Sequence, residues 1–194
     1  REPWVALAEI FLIVILPVLL IQSGLVSSDN RILLYGVMYG LSIPLVIMHH
    51  LSLHDLNIRL DNFKQASRIF GVEAFILCLI GFVLIVIVQF RIEVGVSRSI
   101  NQWQYVLVSI PIQQFVYFGF IHNRLTKITE NKLLIVCAIT ILFGASHLPW
   151  NNTVFTLLSF VMGALLSGAH VIVPNVIWTF ILHQIIGLLS LGIV

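Results

Sequence analysis

The sequence predicts an all-α fold: a polytopic integral membrane bundle of about seven transmembrane helices, forming a single domain over 1–194. Three observations predict it. Hydrophobic residues make up 59% of the chain and charged residues only 9%, against about 25% charge in a soluble domain, so water is not the solvent for most of the surface. The apolar residues gather into seven stretches, most of them near the length of about 20 residues that a spanning helix needs. None alternates with the two-residue period of a barrel strand, and lipid cannot satisfy an open backbone, so each stretch reads as helix.

The first stretch, Val5 to Val26, contains Glu9 and Pro17, and its length argues against a cleaved leader. The second, Ile32 to Leu53, contains Pro44, His49 and His50. Between His54 and Arg68, Leu56, Ile58, Leu60 and Phe63 interleave with Asp55, Arg59, Asp61, Lys64 and Arg68, the pattern of an amphipathic segment lying on the membrane surface. Phe70 to Phe90, Tyr105 to Ile121 and Leu133 to Leu148 follow. Val154 to Leu166 is the shortest stretch, and Val171 to Val194 is the last. Pro17, Pro44 and Pro111 predict kinks inside spans, tolerated where neighbouring groups satisfy the freed carbonyls. Cys78 and Cys137 fall mid-span and read as small buried hydrophobes, not as a disulfide.

Ten Lys and Arg against eight Asp and Glu leave a net charge of +2 with no dense basic cluster, which sets nucleic acid aside. The absence of internal repeats ranks transport low. With seven spans, Arg1, Arg59, Lys64, Arg68, Arg124, Lys127 and Lys132 fall on one side of the membrane, and Arg31, Arg91 and Arg98 on the other. Cytoplasmic loops collect Lys and Arg, so the N-terminus is expected in the cytoplasm.

Polar side chains at mid-bilayer are costly unless paired and are therefore candidates for function. Gln113 and Gln114 lie in the fourth stretch, His147 ends the fifth, and His183 with Gln184 lies in the seventh. Adjacent glutamines point about 100° apart on a helix, so at least one faces the bundle interior. Counted from the sparsely charged side, Gln113 and His183 lie roughly 13 Å deep and His147 nearer the surface, depths compatible with one cavity. Glu9, Glu73, His49, His50 and His170 lie within about two turns of a span end, where snorkelling to the interface is expected.

At the central residues the chain resembles the CPBP family, the CAAX-protease and bacteriocin-processing (Abi-like) membrane proteins. That family carries Glu-Glu-x-x-x-Arg on one span, then Phe-x-x-x-His, then His-x-x-x-Asn. Here the first motif stands as Gln113-Gln114-Phe115-Val116-Tyr117-Phe118-Gly119-Phe120, with the frame kept and the charges gone. The second is intact as Phe143-Gly144-Ala145-Ser146-His147. The third is His183-Gln184-Ile185-Ile186-Gly187, with Gly in place of Asn. The ordered set covers Pro111 to Leu189 and places a family-like core at about 105–194, behind N-terminal spans and the amphipathic segment in 1–104.

The resemblance implies a CAAX-protease-like bundle and an intramembrane metalloendopeptidase site. Gln113, Gln114, His147 and His183 occupy the catalytic positions, and Tyr117, Phe118, Phe143, Gln184 and Gly187 line the cavity. A general base must accept a proton, which a carboxamide cannot do. A catalytic zinc takes three protein ligands, and His147 with His183 supply two, so zinc is expected only if a third ligand is found and otherwise no cofactor. The leading expectation is thus a non-catalytic family member in a bacterial plasma or internal membrane. It would bind another membrane protein or a lipidated, hydrophobic peptide as assembly factor, chaperone or regulatory subunit. The alternatives are an active endopeptidase and a cofactor-binding subunit with axial His ligands.

Overall fold

The computed structural model describes residues 3–88 and 105–191, and among these every regular element is helical. In chain order they are α1 (Pro3–Gln22), α2 (Ser28–Met48), α3 (Phe63–Val88), α4 (105–125), α5 (Lys132–Ala145, continued by the 3₁₀ turn Leu148–Trp150), α6 (Thr153–Ile172) and α7 (Val176–Leu191). Among the described residues four helices, α1, α2, α5 with its 3₁₀ turn, and α6, are long and apolar enough to cross a membrane.

Prolines explain three of the local irregularities. A proline ring clashes with the carbonyl four residues earlier and leaves it without its usual donor. For Pro17 that carbonyl belongs to Ile13, inside the π-helical turn Phe11–Ile15. For Pro111 it belongs to Leu107, inside the π-helical turn Tyr105–Ser109. For Pro44 it belongs to Gly40, where regular α-helix breaks at Leu41. The wider turn or the break removes the clash, so the rods continue across positions that would otherwise stop them.

Asparagines start the last three helices. Asn131 Oδ1 accepts from Leu133 and Leu134 N, Asn152 Oδ1 from Phe155 N, and Asn175 Oδ1 from Trp178 N, satisfying backbone donors that have no carbonyl within the helix. The antiparallel pair α5 and α6 is set close by glycines. A Cβ on Gly144 would collide with the Phe160 ring, and one on Gly163 would lie 3.2 Å from Thr140 Cα. The centre of the bundle is aromatic and aliphatic: Ile13, Phe70, Tyr117, Phe118, Phe120, Ile139, Phe143 and Leu166 are fully buried.

The amphipathic segment His54 to Arg68 is made of turns up to residue 62 and of helix from Phe63. Leu56 and Asn57 tuck under α4, where Leu56 O would lie 3.2 Å from a Cβ on Gly119. Side-chain amides hold the turns in place: Asn57 Nδ2 donates to Phe118 O, Asn123 Nδ2 to Asp55 O, and Asn175 Nδ2 to Arg59 O. Glu9 and His170 do not snorkel. Glu9 bonds His49 at 2.5 Å and lies 3.5 Å from Arg124, while the His170 ring is fully buried against His122. The two cysteines face outward instead of inward. The sixth stretch is a full helix to Ile172, because the polar residues that end its apolar run pack inside the bundle. Ser167 Oγ donates to Gly163 O at 2.6 Å, and His170 accepts from Asn175 N.

Candidate functional site

The glutamines stand on the short α-helical piece of α4, between the two π-helical turns Tyr105–Ser109 and Phe115–Ile121. Both are buried, yet they face different neighbours. Gln114 Nε2 donates to His183 Nδ1 on α7 at 2.5 Å, which assigns the ring proton of His183 to Nε2. Gln113 Nε2 donates to Ser109 Oγ at 3.0 Å. The Oε1 atoms of both glutamines are buried without a hydrogen-bond partner among the described residues.

His147 closes the fifth helix just before the 3₁₀ turn. Its Nδ1 donates to Phe143 O at 2.7 Å, so Nε2 is left with a lone pair, and Thr156 Oγ1 donates to its carbonyl. The Phe143 ring stands between the two histidines, with centroids 5.0 Å from His147 and 5.6 Å from His183, and Tyr117 packs on it edge-on at 5.1 Å. The structure therefore brings Gln114, His147 and His183 around one phenylalanine. Phe118 turns elsewhere, with its ring 5.3 Å from the His170 ring. Gln184 is partly buried on α7 with its Oε1 inside the protein. Gly187 lies on α7, beyond the residues whose side-chain surroundings are described.

Gln113 and His147 also share a cavity of about 590 Å³ between α2, α4 and the end of α5. Ile32, Tyr35, Gly36 and Tyr39 form its wall along one face of α2, Ser109 and Ile112 line it from α4, and Ser146 and Trp150 lie at the end of α5. Tyr35 Oη donates to Ser146 O and Tyr39 Oη meets Tyr117 Oη at 3.0 Å, so two tyrosines fix α2 to the site. Few residues of helix α2 are buried by protein, and Ile32 and Val108 at the rim are exposed. Among the described residues the cavity is a partly open groove beside the exposed Ile32 and Val108.

Its chemistry is that of neutral donors and acceptors. Among the described residues no three His, Cys, Asp or Glu side chains gather to hold a metal. His183 is held by the Gln114 carboxamide and His147 by the Phe143 carbonyl, neither of which adds a zinc-ligating side chain, so the residues present do not fit a catalytic zinc. Glu9 is committed to His49 and Arg124.

A second polar cluster gathers Glu9, His49 and His170, expected at the interface, with residues not singled out as candidates. Glu9, His49 and Arg124 join α1, α2 and α4, and Asn57, His122, His170 and Asn175 join the 51–62 turns to α4 and the α6–α7 turn. The signal available in sequence was the run His122-Asn123-Arg124, three polar residues continuing an apolar stretch. Comparison with known protein families, curated proteins and solved structures finds no match.

Proposed function

We propose that this chain is a seven-span, CAAX-protease-like membrane protein that does not hydrolyse peptides and instead holds a hydrophobic partner in its lateral groove. The partner is another membrane protein's segment or a lipidated peptide, and the role is that of an assembly factor, chaperone or regulatory subunit. The observation that carries this reading is the Gln114–His183 bond, with Gln113 and His147 on the wall of the adjoining groove. Amides stand at the positions of the base and its neighbour, and a carboxamide has no basic site near neutral pH. Loss of the carboxylates also removes the desolvation cost of buried charge while leaving the groove intact.

The charge distribution supports a cytoplasmic N-terminus, and we take the host membrane to be bacterial. A photo-crosslinking residue at Ile112, inside the groove, tests the reading in native membranes. The expected result is one stoichiometric membrane-protein adduct, lost when Gly36→Trp fills the groove. A chain that forms no adduct and elutes alone from gentle detergent contradicts it.

A further inference from the structure

The groove has a charged end that partner binding leaves unexplained. The Arg31 guanidinium lies over the Trp150 ring, 5.2 Å from its centroid. Its Nη1 donates to Ser28 O at 3.2 Å, and its Nε is buried with no hydrogen-bond partner. Among the described residues no carboxylate lies within ion-pair distance of it. Trp150 and the neighbouring Ile32 line the groove, so this cation stands beside its wall, against Trp150.

Deeper in the same wall is Gln113, only 8% exposed, with one end of its carboxamide on Ser109 and the other unpartnered. The relative depths follow from the helices. Tyr39 and Tyr117 meet at their hydroxyls, so four residues back along each helix Tyr35 is level with Gln113. Four residues further back along α2 lies Arg31, about 6 Å along the helix at about 1.5 Å per residue. A cation beside the wall, an amide one turn from it and apolar walls around both form an amphiphile's site.

We propose that the groove binds an anionic glycerophospholipid, with the phosphate on Arg31, an acyl ester carbonyl on the Gln113 carboxamide, and the acyl chain along Gly36 and Ile112. Rotating the carboxamide turns Nε2 toward the ester while the Ser109 hydroxyl donates to Oε1, so a donor is supplied without backbone movement. The volume of about 590 Å³ is within the range of small-ligand sites. A polypeptide segment would satisfy the apolar walls but has no fixed anion at the level of Arg31. The inference deepens the partner-binding reading by naming what fills the outer half of the groove, and rests on that reading only for the groove being open to lipid.

Native mass spectrometry of the purified full chain in neutral detergent tests it, with phosphatidylglycerol, phosphatidylcholine of identical acyl chains, and inorganic phosphate as separate arms. The chain is expected to retain phosphatidylglycerol about fivefold over phosphatidylcholine, the worth of one basic side chain at a membrane surface. Inorganic phosphate alone should not bind. Arg31→Gln should bring the ratio to about one, Arg31→Lys should keep most of it, and Arg59→Gln, outside the groove, should leave it unchanged. Gly36→Leu projects into open space and should lower retention of both lipids. Equal retention of the two lipids by the unaltered chain, a ratio that survives Arg31→Gln, or tight binding of phosphate alone would overturn the proposal. No protein partner is present in this experiment, so its failure leaves the crosslinking result standing, and the reverse also holds.

Discussion

Gln114 makes the hydrogen bond on which the chemistry turns. His183 is fully buried, and its Nδ1 takes the Gln114 amide proton. Gln114→Leu removes that donor and leaves a buried imidazole nitrogen unsatisfied, which costs about 1–3 kcal/mol. Thermal unfolding in detergent should show the loss, with the helical content of the folded state unchanged. On the opposite face of the bundle, the exposed Asp61 carboxylate takes two hydrogen bonds from the Arg59 guanidinium, which pulls its pKa down to about 2. A carboxyl depressed in the folded state adds stability above its ordinary value of about 3.9 and loses it as pH falls toward the folded value. Hydrogen exchange of residues 57–62 should therefore quicken between pH 4 and pH 2, at the scale of about one pH unit around each end, and Arg59→Gln should abolish the change. The glutamine and histidine positions were legible in the sequence because polar side chains stand out inside apolar stretches. Their partners were not, since Gln114 and His183 lie 69 residues apart.

Helices meet here through small residues and buried ion pairs. Gly144→Ala drives a methyl group into the Phe160 ring and should destabilise the α5–α6 pair by about 1–3 kcal/mol. Gly36→Ala meets open space and should be neutral or slightly stabilising, since alanine favours helix over glycine by up to about 1 kcal/mol. Chemical denaturation of the two variants side by side separates packing from propensity. Glu9 ties α1 to α2 through His49 and to α4 through Arg124. Removing one member of a buried pair strands the other, so Glu9→Leu should cost about 3–5 kcal/mol, measured in the same denaturation series. The seven apolar stretches announced the helices, but their ends were misplaced wherever polar residues pack inside the bundle. Ser167 and His170 hid the last turn of α6, and within the amphipathic segment Leu56 is buried beneath α4. The π-helical turns answer proline clashes that composition does not reveal.

At the scale of the molecule, α2, α4 and the end of α5 enclose a groove lined mainly by apolar and aromatic side chains, with Gln113 and His147 among them and Arg31 stacked on its Trp150. Polytopic membrane character was readable from composition alone, whereas the groove depends on how little of α2 is covered, a property of packing. Two tyrosines from α2 lock that helix to Ser146 and Tyr117, so the groove is preformed. Such a groove suits holding a ligand, and its amides cannot activate water. The most direct measurement incubates the purified chain with a prenylated or membrane-spanning peptide and follows cleavage by mass spectrometry, beside His147→Ala and His183→Ala. No cleavage by any of the three proteins is the predicted result. Steady turnover by the unaltered chain, abolished by either histidine substitution, would contradict the account.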